Sequence, residues 1–220
     1  MDVEGFSHPR RSTPSSRPQV PPKPVASDRL KKAEQNLVLS NLFSACLMTS
    51  PSHLTEAIEY SIIQWNLRGF QANFEELALL LRRYKPAVFG LQETFLTSSK
   101  TPSFSGFSIL TKNSPNDRAT GGVALLINKS YLFSEVHLNT PLQAVAARVT
   151  LNKVVTFCSI YLPRSDHVAK TDLINLTEQL PSPFVLLGDF NGHSRFGVMS
   201  PITAEDKCWR ISSQKWIYVF

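Results

Sequence analysis

From Tyr60 onward the apolar residues fall into short blocks whose repeat switches between two and about three and a half residues. SIIQWNL (Ser61 to Leu67) is a β-rich run closed by Gly69. Phe74, Leu77, Leu80, Leu81 and Tyr84 follow on one helical face, and Pro86 stops that helix because it cannot donate to it. AVFGLQE (Ala87 to Glu93) is nearly continuous in apolar residues, the pattern of a strand buried on both faces. Strand, helix and strand in this order open an α/β layer.

Four more strand-like runs come next, Phe107 to Lys112, Gly122 to Asn128, Ala144 to Leu151 and Val154 to Tyr161. Gly- and Asn-rich punctuation separates them, so they read as a β-meander joined to the same sheet. Ala169, Leu173, Leu176 and Leu180 then mark a single helical stripe ended by Pro181. FVLLGDFN (Phe184 to Asn191) is a further buried strand ending in polar residues, and no internal repeat is present.

The chain before Tyr60 has a different texture. Residues 1 to 27 hold six of the fifteen prolines with Ser and Arg, too little apolar surface to offset chain entropy, and are expected to be a disordered leader. From Asp28 to about Phe43 the spacing of Leu30, Ala33, Leu37, Val38 and Leu42 predicts a short amphipathic helix with Asp28 as its N-cap, and Met48 to Glu59 reads as a connector. Three units follow from this, a leader (1–27), a helix with connector (28–59) and a folded domain from residue 60 to about 197. Residues 198–220 are left as a divergent tail.

Charge changes the picture little. Of the formal net charge of +6, the first 32 residues carry +4, so the basicity belongs mainly to the leader. Such an arm is ordinarily solvated, although it could hold a polyanion by counterion release. Cys46, Cys158 and Cys208 lack the spacing of a disulfide framework or a zinc site, which favours a reducing compartment. The stretch Asn36 to Met48 is too short and too polar to span a membrane, and the proline-rich N-terminus lacks the apolar core of a secretory signal. An intracellular location is expected, nuclear if the substrate is chromosomal DNA.

The chemistry gathers where apolar strands end. Asn66 follows SIIQW, Gln92 and Glu93 follow AVFGL, Tyr161 follows VVTFCSI, and Asp189 and Asn191 follow FVLL. One such polar residue is usually a strand leaving the core; four strands behaving alike describe a site. Phosphodiester hydrolysis needs a divalent cation on carboxylate oxygens, a polarised water and donors for the developing charge. Glu93 is a fitting hard-oxygen ligand, Asp189 a candidate base for the water, and Asn66, Asn191 and Tyr161 are neutral donors.

WNLRG (65–69), LQET (91–94), IYLP (160–163) and LLGDFNGH (186–193), in this order, resemble the endonuclease/exonuclease/phosphatase superfamily. Within it the pattern is similar to the apurinic-type endonuclease domain of jockey-like non-LTR retrotransposons, where GDFN is followed by His and then by an aromatic-Gly pair such as Phe196-Gly197. The resemblance covers about Ser61 to Gly197. It implies a two-sheet α/β sandwich with pseudo-symmetric halves, and a metal-site role for Glu93 and Asn66. It also implies phosphate positioning by Tyr161, water activation or orientation by Asp189, transition-state hydrogen bonding by Asn191, and substrate contacts by His193 and Arg68.

Two departures stand out. Arg68 takes a position that is acidic in the superfamily's repair enzymes, so a second metal-side carboxylate is missing. The late Asp and closing Ser-Asp-His triplet that the second half normally brings have no counterpart after Asn191, which makes the second half read as incomplete. Ser165-Asp166-His167 precedes GDFN, and its place before the Leu173 stripe suits Ser165 or Asp166 to a helix N-cap.

The resemblance implies a DNA-nicking endonuclease working with Mg²⁺, or Mn²⁺ as the second choice, impaired by the missing half and of a type associated with a reverse transcriptase. DNA is the expected partner; nothing points to a membrane or to oligomerisation. The alternatives are a non-catalytic nucleic-acid-binding remnant and a lipid phosphodiesterase of the same superfamily. GDFN-x-H favours DNA over lipid.

Overall fold

Each central strand buries one set of alternating side chains against a second sheet and the other set beneath a helix, which is why the apolar blocks are so nearly continuous. A computed structural model describes residues 26–35, 38–40, 60–98, 102–114, 119–163, 168–189, 207–212 and 215–219. Among these residues the first sheet comprises β1 (Val38–Ser40), β2 (Ile62–Asn66), β3 (Val88–Gln92), β4 (Phe107–Lys112) and β5 (Val123–Asn128), in the order β1-β2-β3-β5-β4. The second comprises β6 (Phe133–Val136), β7 (Gln143–Thr150), β8 (Val154–Tyr161), β9 (Phe184–Asp189), β10 (Lys207–Ser212) and β11 (Lys215–Val219), in the order β10-β11-β9-β8-β7-β6. The pairs β2–β3 and β8–β9 are parallel and the rest antiparallel. Helices α1 (Ala26–Gln35), α2 (Phe74–Tyr84) and α3 (Lys170–Glu178) complete an α/β sandwich.

Between the sheets, Ile62, Val88, Val123, Leu125 and Ile127 meet Val145, Ala147, Val155, Phe157, Val185 and Leu187. The other face of the first sheet (Ile63, Trp65, Phe89, Leu91, Leu126) packs under Leu77, Leu80 and Leu81 of α2. The other face of the second (Ala144, Cys158, Ile160, Leu186) packs under Leu176 and the flanking Val168 and Leu180. Full burial of each leucine on α2 contributes roughly 1.5–3 kcal/mol, more than the helix's own propensity supplies. Glu75 and Glu76 in its first turn and Arg82 and Arg83 in its last complement the helix dipole, and Lys85 closes it in the left-handed conformation just before Pro86.

Several expectations need correction. The helix expected from Asp28 to Phe43 ends at Gln35; Val38–Ser40 instead pair antiparallel with β2, because the open edge of β2 is a template for any β-capable segment beside it. Asp28 lies in the first turn of α1 and does not cap it. The helix rests on α2 through the ion pairs Arg29–Glu75 and Arg83–Glu34 and through Tyr84, whose hydroxyl donates to Glu34 at 2.5 Å.

The four central runs are not one meander. β4 and β5 close the first sheet while β6, β7 and β8 build the second, and the polar turn at Lys129–Ser130 carries the chain across. The N-cap of α3 is Ala169, without a side-chain cap bond, so Ser165 and Asp166 do not cap it; both lie outside the described residues. Residues 207–212 and 215–219 form a hairpin that extends the second sheet from β9. Residues 1–25 of the leader lie outside the described residues.

The sheets approach closely at Gly90, where an added Cβ would stand 2.8 Å from Cδ1 and 3.0 Å from Cβ of Leu187. Gly90→Ala is therefore expected to destabilise the fold by about 1–3 kcal/mol, read as a lower urea midpoint, and Leu187→Val in the same chain to restore part of it. Cys158 gives a second test. Burial beneath α3 pushes its thiol up to about 12 from an ordinary 9.0, with the charge of Lys112 pulling weakly the other way. The native thiol keeps its proton where the unfolded one loses it, so this stabilisation is complete below pH 9 and fades as pH rises toward 12. Across that range the melting temperature of the wild type should fall more steeply than that of Cys158→Val.

Candidate active site

The inward face of the sandwich changes from apolar to polar at one end. Inward positions run Ile62, Gln64, Asn66 on β2, Val88, Gly90, Gln92 on β3 and Phe157, Ser159, Tyr161 on β8. Both parallel pairs bring their carboxyl ends there, the usual place for a ligand site in open α/β sheets.

Gln64, Gln92 and Ser159 are wholly buried, and their hydrogen bonds cross between the sheets. Gln64 Nε2 donates to the Gly188 carbonyl at 2.5 Å. Gln92 Nε2 donates to Ser159 Oγ at 3.0 Å and to the Leu187 carbonyl at 3.2 Å, and Ser159 Oγ donates to the Leu91 carbonyl at 3.0 Å. Apolar faces can slide past one another at little cost, whereas these bonds hold one register. They fix the end of β9 against the ends of β2 and β3.

Beyond the strands the two loops of the first sheet stay joined. Leu67 N donates to Gln92 O, Gly69 N to Glu93 O and Phe70 N to Thr94 O, each at 2.8 Å, while Phe95 N reaches Gly121 O at 2.9 Å. Within this ladder Arg68, Glu93 and Phe95 adopt φ of 49°, 50° and 53°. The left-handed conformation costs a side-chain-bearing residue roughly 1–2 kcal/mol. Its effect at Glu93 is specific. Continued alternation would send Glu93 beneath α2 with Phe89 and Leu91; the turn instead brings its carboxylate to Asn66, whose Nδ2 donates to Glu93 Oε1 at 2.7 Å.

Asn66, Glu93 and Tyr161 are half-buried, Tyr161 with its ring against the inner core, and Arg68 is exposed in the loop after β2. Asp189 ends β9 in register with Tyr161 on one side and Lys215 on the other. Thus Asn66 and Glu93 on the first sheet face the strand ends bearing Tyr161 and Asp189 on the second. Asn191 and His193 lie outside the described residues. Gln64, Ser159 and Gln143 were not singled out from sequence. A glutamine inside an otherwise apolar strand such as SIIQWNL was the available signal, because a buried amide must find partners.

Two further groups border this end. Gln143 Oε1 accepts from Gly122 N at 2.5 Å, and a Cβ at Gly122 would meet Thr94 Oγ1 at 2.6 Å, so this turn admits only glycine. Lys112, at the end of β4, donates to the Thr140 carbonyl at 3.0 Å, and its partial burial lowers its pKa.

Among the described residues no three His, Cys, Asp or Glu side chains converge as a ready metal cluster. The donor set still fits a small hard cation. Mg²⁺ keeps several waters and takes one or two carboxylates plus substrate phosphate, and Glu93, half-buried and oriented by Asn66, is such a carboxylate.

The sequence model of the Endonuclease/Exonuclease/phosphatase family matches residues 63–212, from β2 to the end of β10. The chain belongs to this family. The match runs past Gly197, where the visible motifs stop, and takes in β10. Nucleases of the Endonuclease/Exonuclease/phosphatase family typically use divalent metals. No curated protein sequence matches the chain significantly.

Similar solved structures include the 3'-5' exonuclease NExo from Neisseria meningitidis, at 21% identity and a TM-score of 0.48, covering 59% of this chain and 57% of that one. The endonuclease domain of TRAS1, a telomere-specific non-LTR retrotransposon, is 20% identical with a TM-score of 0.48, covering 62% and 61%. An AP endonuclease from Archaeoglobus fulgidus is 18% identical with a TM-score of 0.43, covering 58% and 56%. The chain thus spans less than two thirds of the length of each of these three. No helix among the described residues is long and apolar enough to cross a membrane.

Replacing Gln64 by Leu removes the donor to Gly188 at nearly constant volume. A loss of about 1–3 kcal/mol is expected in urea unfolding, with Ile63→Val on the opposite face as the packing control.

Proposed function

We propose that this chain is the metal-dependent phosphodiesterase part of a DNA-nicking endonuclease of the non-LTR retrotransposon type, jockey-like in its GDFN-x-H signature. The observation that carries the reading is the Asn66–Glu93 pair, a carboxylate turned by left-handed backbone onto the carboxyl ends of parallel strands, facing the strand end that bears Asp189. Family membership supports a phosphodiester hydrolase. The DNA substrate, the retroelement origin and the choice of Mg²⁺ over Mn²⁺ are parts of the proposal.

Glu93 and the Asn66 amide oxygen would hold the cation, which when bound supplies Lewis-acid stabilisation of the phosphoryl oxygens. Asn66 keeps the Glu93 carboxylate pointed at the site. Asp189 accepts the proton of the attacking water; the P–O3′ bond breaks as the new P–O bond forms, and the departing oxygen takes a proton to become a 3′-hydroxyl. Tyr161 positions the phosphate, Asn191 donates to the transition state, and Arg68 and His193 contact the strand.

Supercoiled plasmid with Mg²⁺ against chelator tests the reading alongside Mn²⁺ binding followed by electron paramagnetic resonance. Nicking that needs the cation is expected, with Glu93→Ala weakening Mn²⁺ at least tenfold and both Glu93→Ala and Asp189→Ala abolishing cleavage. Nicking that survives both substitutions would sink the assignment. DNA binding without cation binding or cleavage would return the chain to a nucleic-acid-binding remnant.

A further inference from the structure

Phe95 sits where stability gives no reason for a phenylalanine. It holds φ of 53°, a conformation that disfavours a bulky side chain, and it is 36% exposed. The other exposed phenylalanine among the described residues, Phe74, has ring partners: it stacks on half-buried Phe104 with centroids 5.1 Å apart, and buried Phe70 packs against both. Phe95 makes no ring contact of this kind among the described residues.

Its position is nonetheless fixed. Phe95 N bonds to Gly121 O, the preceding Thr94 N bonds to Gly122 O at 3.2 Å, and the ring lies against Gly69, where an added Cβ would come 3.2 Å from Cδ2. Gly69 N in turn holds the Glu93 carbonyl, and Arg68, exposed, precedes it. An aromatic residue with a firmly held backbone and a ring partly open to solvent therefore stands two residues from the carboxylate of the site and packs against the glycine that follows Arg68.

We propose that Phe95 is a stacking platform for a nucleobase next to the scissile phosphate, with Arg68 taking the adjoining backbone phosphate. The chemistry follows from the neighbours. An aromatic ring against Gly69, with an exposed arginine at the preceding position, matches a nucleotide's alternation of flat base and anionic phosphate, and every base presents a stacking face. The proposal rests on the DNA reading of the same site and adds the group that would hold the strand locally open or in register. It implies little sequence preference from this contact.

The test uses the full chain with single-stranded and duplex oligonucleotides carrying 2-aminopurine, with Ca²⁺ in place of Mg²⁺ to prevent cleavage. Binding should quench the fluorescence. Phe95→Leu should weaken affinity by roughly five- to a hundredfold and abolish the quenching, while Phe95→Trp retains both. The salt slope of binding should be unchanged in Phe95→Leu but about one smaller in Arg68→Ala. Unchanged affinity and quenching in Phe95→Leu would overturn the proposal, as would equal losses in the Leu and Trp variants at matched melting temperatures. Wild-type nicking that depends on Glu93, with affinity and quenching unchanged in Phe95→Leu, would dismiss the platform and keep the endonuclease; a wild type that neither binds nor nicks dismisses both.

Discussion

Hydrogen bonds from Gln64, Gln92 and Ser159 across the space between the sheets hold the two halves of the candidate site in one register. The inner core is otherwise aliphatic and aromatic, and such contacts are non-directional, so they fix how close the sheets lie better than how far one is displaced along the other. Displacements of about 1 Å are enough to lower a reaction rate a hundredfold. Buried amides aimed at Leu187 and Gly188, just before Asp189, therefore do something that added valines could not. Their cost is visible in the acceptor oxygens Oε1 of Gln64 and Gln92, which have no hydrogen-bond partner among the described residues.

The same logic explains which parts of the structure could be read from sequence. Runs such as VVTFCSIY and FVLLGD are legible because both faces are buried, leaving an apolar block with sharp ends. The helical stripe of α2 is legible because Leu77, Leu80 and Leu81 all reach the core. β6 was not, since FSEV is half-exposed and polar in alternation, an edge strand held by pairing with β7. β1 was not, because Val38–Ser40 continue a helical spacing and become a strand only through the open edge of β2. The partition of β4 through β8 between two sheets depends on which long-range edges are open, and no local pattern encodes that.

The motifs singled out Asn66 and Glu93, whose side chains meet in a hydrogen bond, but alternation alone would have put them on opposite faces of the first sheet. Their meeting depends on backbone conformation at Glu93, and glutamate carries no local preference for φ above zero that would announce it. The turn is enforced from outside by the ladder to Gly69, Phe70, Gly121 and Gly122. The glycines in LRGF and TGGV are thus tied to the carboxylate of LQET: one loop cannot approach the other unless Gly122 leaves room for Thr94. Strain at a site is tolerated when surrounding bonds over-determine it, and five backbone bonds around one glutamate do so.

A groove of about 310 Å³ lies at the opposite end of the first sheet, between α2 and the turn before β4, and volume alone would favour it as a ligand site. Its walls argue otherwise. Leu81, Phe104 and Phe107 make it largely apolar, its charges are the cations Arg82 and Lys85, and no carboxylate lines it. Such a hollow can neither hold a divalent cation nor take a proton from water. It also lies at the amino ends of β2 and β3, away from the loops that the parallel strands aim at a ligand. Chemistry needs opposed polar groups held in register more than it needs space, and within the described structure that condition is met at the end where Gln64 and Gln92 join the sheets.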